Sequence, residues 1–194
     1  MEIAIISALI GAVFGGLVTG IATWWTFTKN QDALITGVTH GIYTEINTLW
    51  SIYKIKFKDA FPILEYKELR KNNYLTKKYP LYLYPHYFVV YDSNCRHIGQ
   101  IPNNELRKEI VTGYLRAREL MDAYLHNNAL LKALDNLKSQ QRQTTSNIYD
   151  KDVEALENEL KEHVQYIAKV HSKVKEFHIK VNKLMDAPHG NKAI

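Results

Sequence analysis

The chain has one cysteine, Cys95, in 194 residues, so no internal disulfide framework can form and a reducing compartment suits it. Glycine is scarce and arranged in no phosphate-cradling loop: of nine, Gly11, Gly15, Gly16 and Gly20 fall near the N-terminus. There is no internal repeat, low-complexity tract or flexible linker. The most informative absence is that of charge. Between Glu2 and Lys29 no residue is ionisable as an acid or a base.

As a helix, the stretch from Ile3 to Phe27 would span about 37 Å, enough for a hydrocarbon core of about 30 Å. Ala4, Ala8, Ala12, Gly16 and Gly20 form a ladder of small residues four apart, and Ser7, Gly11, Gly15, Thr19 and Thr23 form a second beside it. Bulky residues fill the remaining face. Small-xxx-small ladders mark packing surfaces in membranes, where helices associate through close backbone approach. These ten positions are therefore the candidate surface for self-association or for a pore. The other reading is that small residues are common in membrane helices and that the hydroxyls bond back to their own backbone.

The segment is a poor secretory signal, lacking a basic n-region and a cleavage site. Trp24, Trp25 and Phe27 resemble an interfacial aromatic belt. All 25 Lys and Arg residues follow the run, which predicts an N-terminus outside and a cytoplasmic C-terminal domain.

The predicted fold class is all-α: one N-terminal transmembrane helix over 1–28, then a cytosolic helical bundle over 29–187, with 188–194 a loose tail. Without Glu2 the remainder carries 25 basic and 19 acidic residues, a modest excess that permits contact with anionic lipid or nucleic acid. Apolar residues Ile35, Val38, Ile42, Ile46, Leu49, Tyr53 and Phe57 recur three or four apart, predicting a helix to about Phe61, interrupted by Pro62. A short charged helix is predicted over 63–71. The aromatic and basic segment 72–101 reads as irregular, with Phe88 to Tyr91 strand-like and Asp92-Ser93-Asn94 a turn. Pro102 and Asn103 begin a long helix whose buried side carries Leu106, Ile110, Tyr114, Ala117, Leu120, Met121, Tyr124, Leu131 and Leu134. The polar run 139–147 is the expected turn.

The last helix, from about Asp150, carries the clearest pattern. Val153, Leu160, Ile167, Val174 and Val181 alternate with Leu156, His163, Val170, Phe177 and Leu184. That is a heptad stripe, fitting either a coiled coil or one wall of a bundle. Pro188 and Gly190 close it.

Catalytic signals are sparse. The histidines lack the spacing of a helical zinc site, and Cys95 and His97 have no orienting partner, so neither a metal nor another cofactor is expected. His163 reads as a satisfied core histidine. An Arg followed five to seven residues later by a His, the acid–base pair of small helical HEPN RNases, is absent. The nearest pair is Arg118 and His126. No enzymatic activity is expected. One constellation could bind polyanions: Lys67, Arg70, Lys71, Tyr74, Lys77, Lys78 and Tyr79, with Arg96, interleave cations with aromatic stacking surfaces as single-stranded nucleic-acid sites do. Its plainer reading is a solvated basic loop.

The layout of one membrane helix before a basic, Asn-, Lys- and Tyr-rich helical domain, with Tyr91-Asp-Ser-Asn-Cys-Arg-His-Ile-Gly99 leading into the Pro102 helix, resembles the small accessory membrane proteins of type VI-B CRISPR loci. The resemblance covers layout and length and carries over no functional residue. It implies a degenerate HEPN-like domain and a homo-oligomeric inner-membrane pore that depolarises the cell and strengthens antiviral defence beside an RNA-guided nuclease. A membrane-tethered adaptor and an oligonucleotide-gated effector are the alternative functions.

Overall fold

The computed structural model of the chain describes residues 2–67, 75–78, 87–144 and 150–186, with side chains in the first helix from Ala12 onward. The described chain is all-helical: α1 Glu2–Lys56, α2 Phe61–Glu65, α3 Val89–Ile98, α4 Asn104–Thr144 and α5 Asp150–Asp186. Antiparallel α4 and α5 make the largest pairing, α1 packs along α5, α3 packs on α1, and α2 packs on α5.

Each helix follows from the three- and four-residue spacing of its apolar positions. Ile35, Val38, Ile42, Ile46 and Trp50 of α1 are buried, as are Leu106, Ile110, Tyr114, Leu120, Tyr124, Leu131 and Leu134 of α4. The α5 stripe is buried inside its own chain at Leu160, Ile167, Val170, Val174, Phe177 and Val181, so it is a bundle wall. Burial extends past the seven-residue repeat to Val164, Ala168 and His171, because α1 and α2 cover a second side of the helix.

Four boundaries differ from expectation. First, α1 stops at Lys56, where Phe57 N–H still bonds to the Tyr53 carbonyl but the chain then turns through Ala60. Second, α2 begins at Phe61 with Pro62 in its first turn, where a missing N–H costs nothing, and ends at Glu65; residues 68–71 of the expected helix lie outside the described residues. Third, Val89–Ile98 is a helix inside the segment read as irregular. Fourth, α4 continues to Thr144 through part of the polar run expected to turn. Lys138 reaches Glu157 at 2.7 Å there, and Gln141 reaches Asp150, fastening the far end of the α4–α5 hairpin.

Glu45 explains the third difference. Its carboxylate accepts the amide protons of Val90 (2.7 Å) and Tyr91 (3.1 Å) and the Tyr114 hydroxyl (2.6 Å). Two first-turn amides of α3, which have no partner within that helix, are thereby satisfied by a charge on α1 that also suits the helix dipole. Local sequence around Phe88–Tyr91 favours strand, and this contact 45 residues upstream overrides it. Asn103 does the same for α4 more conventionally, its side-chain oxygen accepting the Leu106 amide at 3.0 Å.

Gly113 marks the tightest approach between α4 and α5. A Cβ there would lie 2.1 Å from the Phe177 ring. Gly113→Ala should therefore cost roughly 2 kcal/mol net, overpacking outweighing the ~1 kcal/mol that alanine returns in a helix interior. A lowered urea midpoint at unchanged slope would verify this, and an unchanged or raised midpoint would refute the packing account.

Candidate functional site

From Ala12 to Phe27, α1 packs against no other element among the described residues. Every residue from Ala12 to Phe27 is exposed, and Ile35 is the first that is buried. Phe14, Leu17, Val18, Ile21, Trp24, Trp25 and Phe27 each leave more than half of their surface uncovered. An unbroken apolar face on that scale is not tolerated against water. Among the described residues no helix is long and apolar enough to cross a membrane; residues 3–11 of the uncharged run precede the first described side chain, Ala12.

The small ladders are bare as well. A Cβ built at Gly15, Gly16 or Gly20 meets nothing within 4 Å. Gly15, Gly16, Thr19, Gly20, Thr23, Trp24 and Phe27 line one shallow groove along the rod. Thr19 donates its hydroxyl proton to the Gly15 carbonyl (2.8 Å), Thr26 to Ala22 and Thr28 to Trp24, each four residues back. Those hydroxyls are satisfied within the helix, so Thr19 contributes small size more than polarity. Ala12 is exposed, while the side chains of Ala4, Ser7, Ala8 and Gly11 lie outside the described residues.

Direction matters too. At 3.6 residues per turn the line through Gly15 and Thr19 falls roughly opposite the line of Ile35, Val38, Ile42 and Ile46 that enters the bundle. The same side continues through exposed Ala33, Gly37, Thr44, Thr48 and Ser51. The chain's own bundle thus leaves the Gly15–Thr19 line open, while Gly16 and Gly20 turn toward the side that Val38 continues.

Of the basic and aromatic constellation, Lys67, Lys77, Lys78 and Arg96 are among the described residues. Lys77 pairs with Asp59 at 2.8 Å and Lys78 with Asp135 at 2.5 Å, cancelling the two cations nearest its centre. Lys67 is exposed. Arg96 sits on α3, its Nε donating to His97 Nε2 at 3.0 Å. Asp92, one turn before Arg96, pairs with Arg118, 17 residues and about 25 Å along α4 from the Asp135 that holds Lys78. Arg70, Lys71, Tyr74 and Tyr79 lie outside the described residues.

Arg118 and His126 also serve different neighbours. Arg118 pairs with Asp92 and lies over the Phe88 ring, whereas His126 meets the edge of His163 at 4.6 Å. Among the described residues no three His, Cys, Asp or Glu side chains gather as a metal site. Cys95 is exposed.

Sequence inspection missed a polar thread in the core. Tyr53 Oη lies 2.8 Å from Nδ1 of the buried His171 and 3.2 Å from Tyr124 Oη, and His171 Nε2 lies 3.6 Å from Glu65, which Lys175 holds at 2.7 Å. His171 falls outside the heptad positions, so periodicity gave no sign of its burial. His178 bonds Asn47 at 2.9 Å and stacks on Trp50 at 5.1 Å. His163 is satisfied by the Ala123 carbonyl at 2.9 Å.

Burial pushes the pKa of His163 below its ordinary value, and burial with Lys54 does the same at His178. The unfolded chain therefore takes up protons that the folded chain refuses. Stability is complete above about 6.5 and falls as pH drops below it. Glu119, held low chiefly by Arg116, adds a further loss below its ordinary 4.5. A urea midpoint lower at pH 5.5 than at pH 7.5 is expected. A midpoint that rises on acidification would reverse this assignment.

No family model, curated protein or solved structure matches the chain.

Proposed function

We propose that this protein is a membrane-embedded homo-oligomer whose N-terminal rod sits in lipid and packs copy against copy through the Gly/Ala/Ser/Thr ladders, enclosing a pore that depolarises the bacterial inner membrane. One observation carries the reading: an uncharged apolar helix, exposed at every residue from Ala12 to Phe27, continues unbroken into the bundle. Lipid and other copies are the surroundings that relieve such a surface. The Gly15–Thr19 line, roughly opposite the bundle side, lets a neighbour approach without meeting the bundle. The N-terminus lies outside and the basic bundle lies on the cytoplasmic side, as the positive-inside bias suggests.

The work of the molecule is then assembly and conduction without bond chemistry, and the resemblance to CRISPR accessory membrane proteins points to antiviral defence as its setting. Since the α5 stripe is consumed inside the chain, the rod and the outer side of α1 carry the contact between copies. Replacing residues 3–23 by poly-Leu keeps the anchor and removes the small ladders. Induction of the parent in bacteria should depolarise the membrane, and the poly-Leu chain should not. Equal depolarisation by both, or none by either, rejects the pore; full biological activity of the poly-Leu chain would indicate a tethered adaptor.

A further inference from the structure

A partly open apolar cavity of about 120 Å³ lies between α1, α4 and α5. Its walls include Leu49, Trp50, Phe57, Ala117, Met121 and Phe177, and Ile52, Tyr87 and Lys56 also border it. An engineered apolar cavity of about 150 Å³ takes up benzene, so a void of this scale accepts a ring or a short run of methylenes. The wall residues on α1 reach from Ile46 to Lys56, about 15 Å along the helix, which favours an elongated guest over a round one. Lys56 is exposed and makes no ion pair among the described residues. An apolar slot bordered by an uncommitted ammonium is complementary to a chain with an anionic head.

We propose that this cavity binds a medium-chain carboxylate, its alkyl tail against Trp50, Ala117 and Phe177 and its carboxylate at Lys56. Ile46, the wall residue closest in sequence to the rod, stands nineteen residues beyond Phe27, about 28 Å along α1. An acyl chain still anchored in a bilayer around the rod cannot reach it, so the ligand is a free amphiphile. The cavity lies wholly within the bundle and does not depend on the pore.

The test uses the full chain in detergent-free lipid nanodiscs, with Trp24→Phe and Trp25→Phe leaving Trp50 as the only one of the three tryptophans. Added 6-bromohexanoate should quench Trp50 saturably, because bromine quenches at contact, and hexanoate should compete. Ala117→Leu, which fills the cavity, should abolish saturation while leaving the helical circular dichroism intact. Lys56→Gln should weaken binding about threefold, the scale of an exposed ion pair. Quenching that stays linear, that hexanoate does not relieve, or that brominated phosphatidylcholine in the disc reproduces would overturn the proposal, and the competition arm holds even if Ala117→Leu fails to fold. Unchanged affinity in Lys56→Gln would overturn the placement of the carboxylate.

Discussion

Changing Gly15, Gly16 and Gly20 together to Leu should collapse the assembly to monomers while leaving the bundle folded. Beyond the adjoining backbone of the helix itself, no described atom of the chain lies within 4 Å of the site where a Cβ would stand at any of the three. Added side chains therefore strain nothing internally, and each exchange should favour the helix by somewhat under 1 kcal/mol. Any loss of the multimer then reads intermolecular contact alone. Small residues matter in a bilayer because they let backbones approach, and three leucines within two successive turns hold two helices apart. Size exclusion with light scattering on detergent-extracted protein should show the oligomer in the parent and its loss in the triple variant. Depolarisation should vanish with it. An oligomer that survives the crowding would remove the basis of the proposed function, and a variant that also loses bundle helicity would contradict the open space around these glycines.

Glu45→Ala should cost about 3 kcal/mol of bundle stability, since it removes one charged acceptor shared by three donors. The Val90 and Tyr91 amides lose their partner at the start of α3, and the buried Tyr114 hydroxyl loses its acceptor. That hydroxyl is held protonated, its pKa raised first by burial and then by its bond to Glu45, so it has no charged state to fall back on. Glu45→Gln keeps one oxygen acceptor and should lose about half as much. Hydrogen exchange separates this account from a general loss of packing: protection at Val90 and Tyr91 should fall before that of α4 and α5. If α3 keeps its protection in Glu45→Ala, the capping role assigned to Glu45 is wrong.

Much of the architecture was legible because the helical period is a local property. The stripes on α1, α4 and α5 name their own buried faces, since a side chain's direction around a helix depends only on its number. The short elements were less legible. Phe88-Val89-Val90-Tyr91 carries strand-forming residues, and only the carboxylate of Glu45 makes a helix there. Pro62 correctly signalled a break, but Lys56 rather than Phe61 ends α1, because the turn through Phe57 and Ala60 places Leu64 and Leu75 in the same apolar cluster. The pairing of Lys77 with Asp59 and of Lys78 with Asp135 was not legible either, because each acid comes from a segment far away in the chain.

By itself the sequence determined that the chain is helical, which side of each long helix is apolar, and that an uncharged run rich in small residues precedes the bundle. These are one-dimensional properties, set by spacing and composition. Tertiary structure alone decided that the heptads of α5 are spent within the chain, that His171 lies in the core beside Tyr53, and that the rod's Gly15–Thr19 line looks away from its own bundle. Each of those depends on which neighbours share a surface, and that is fixed by packing between segments far apart along the chain.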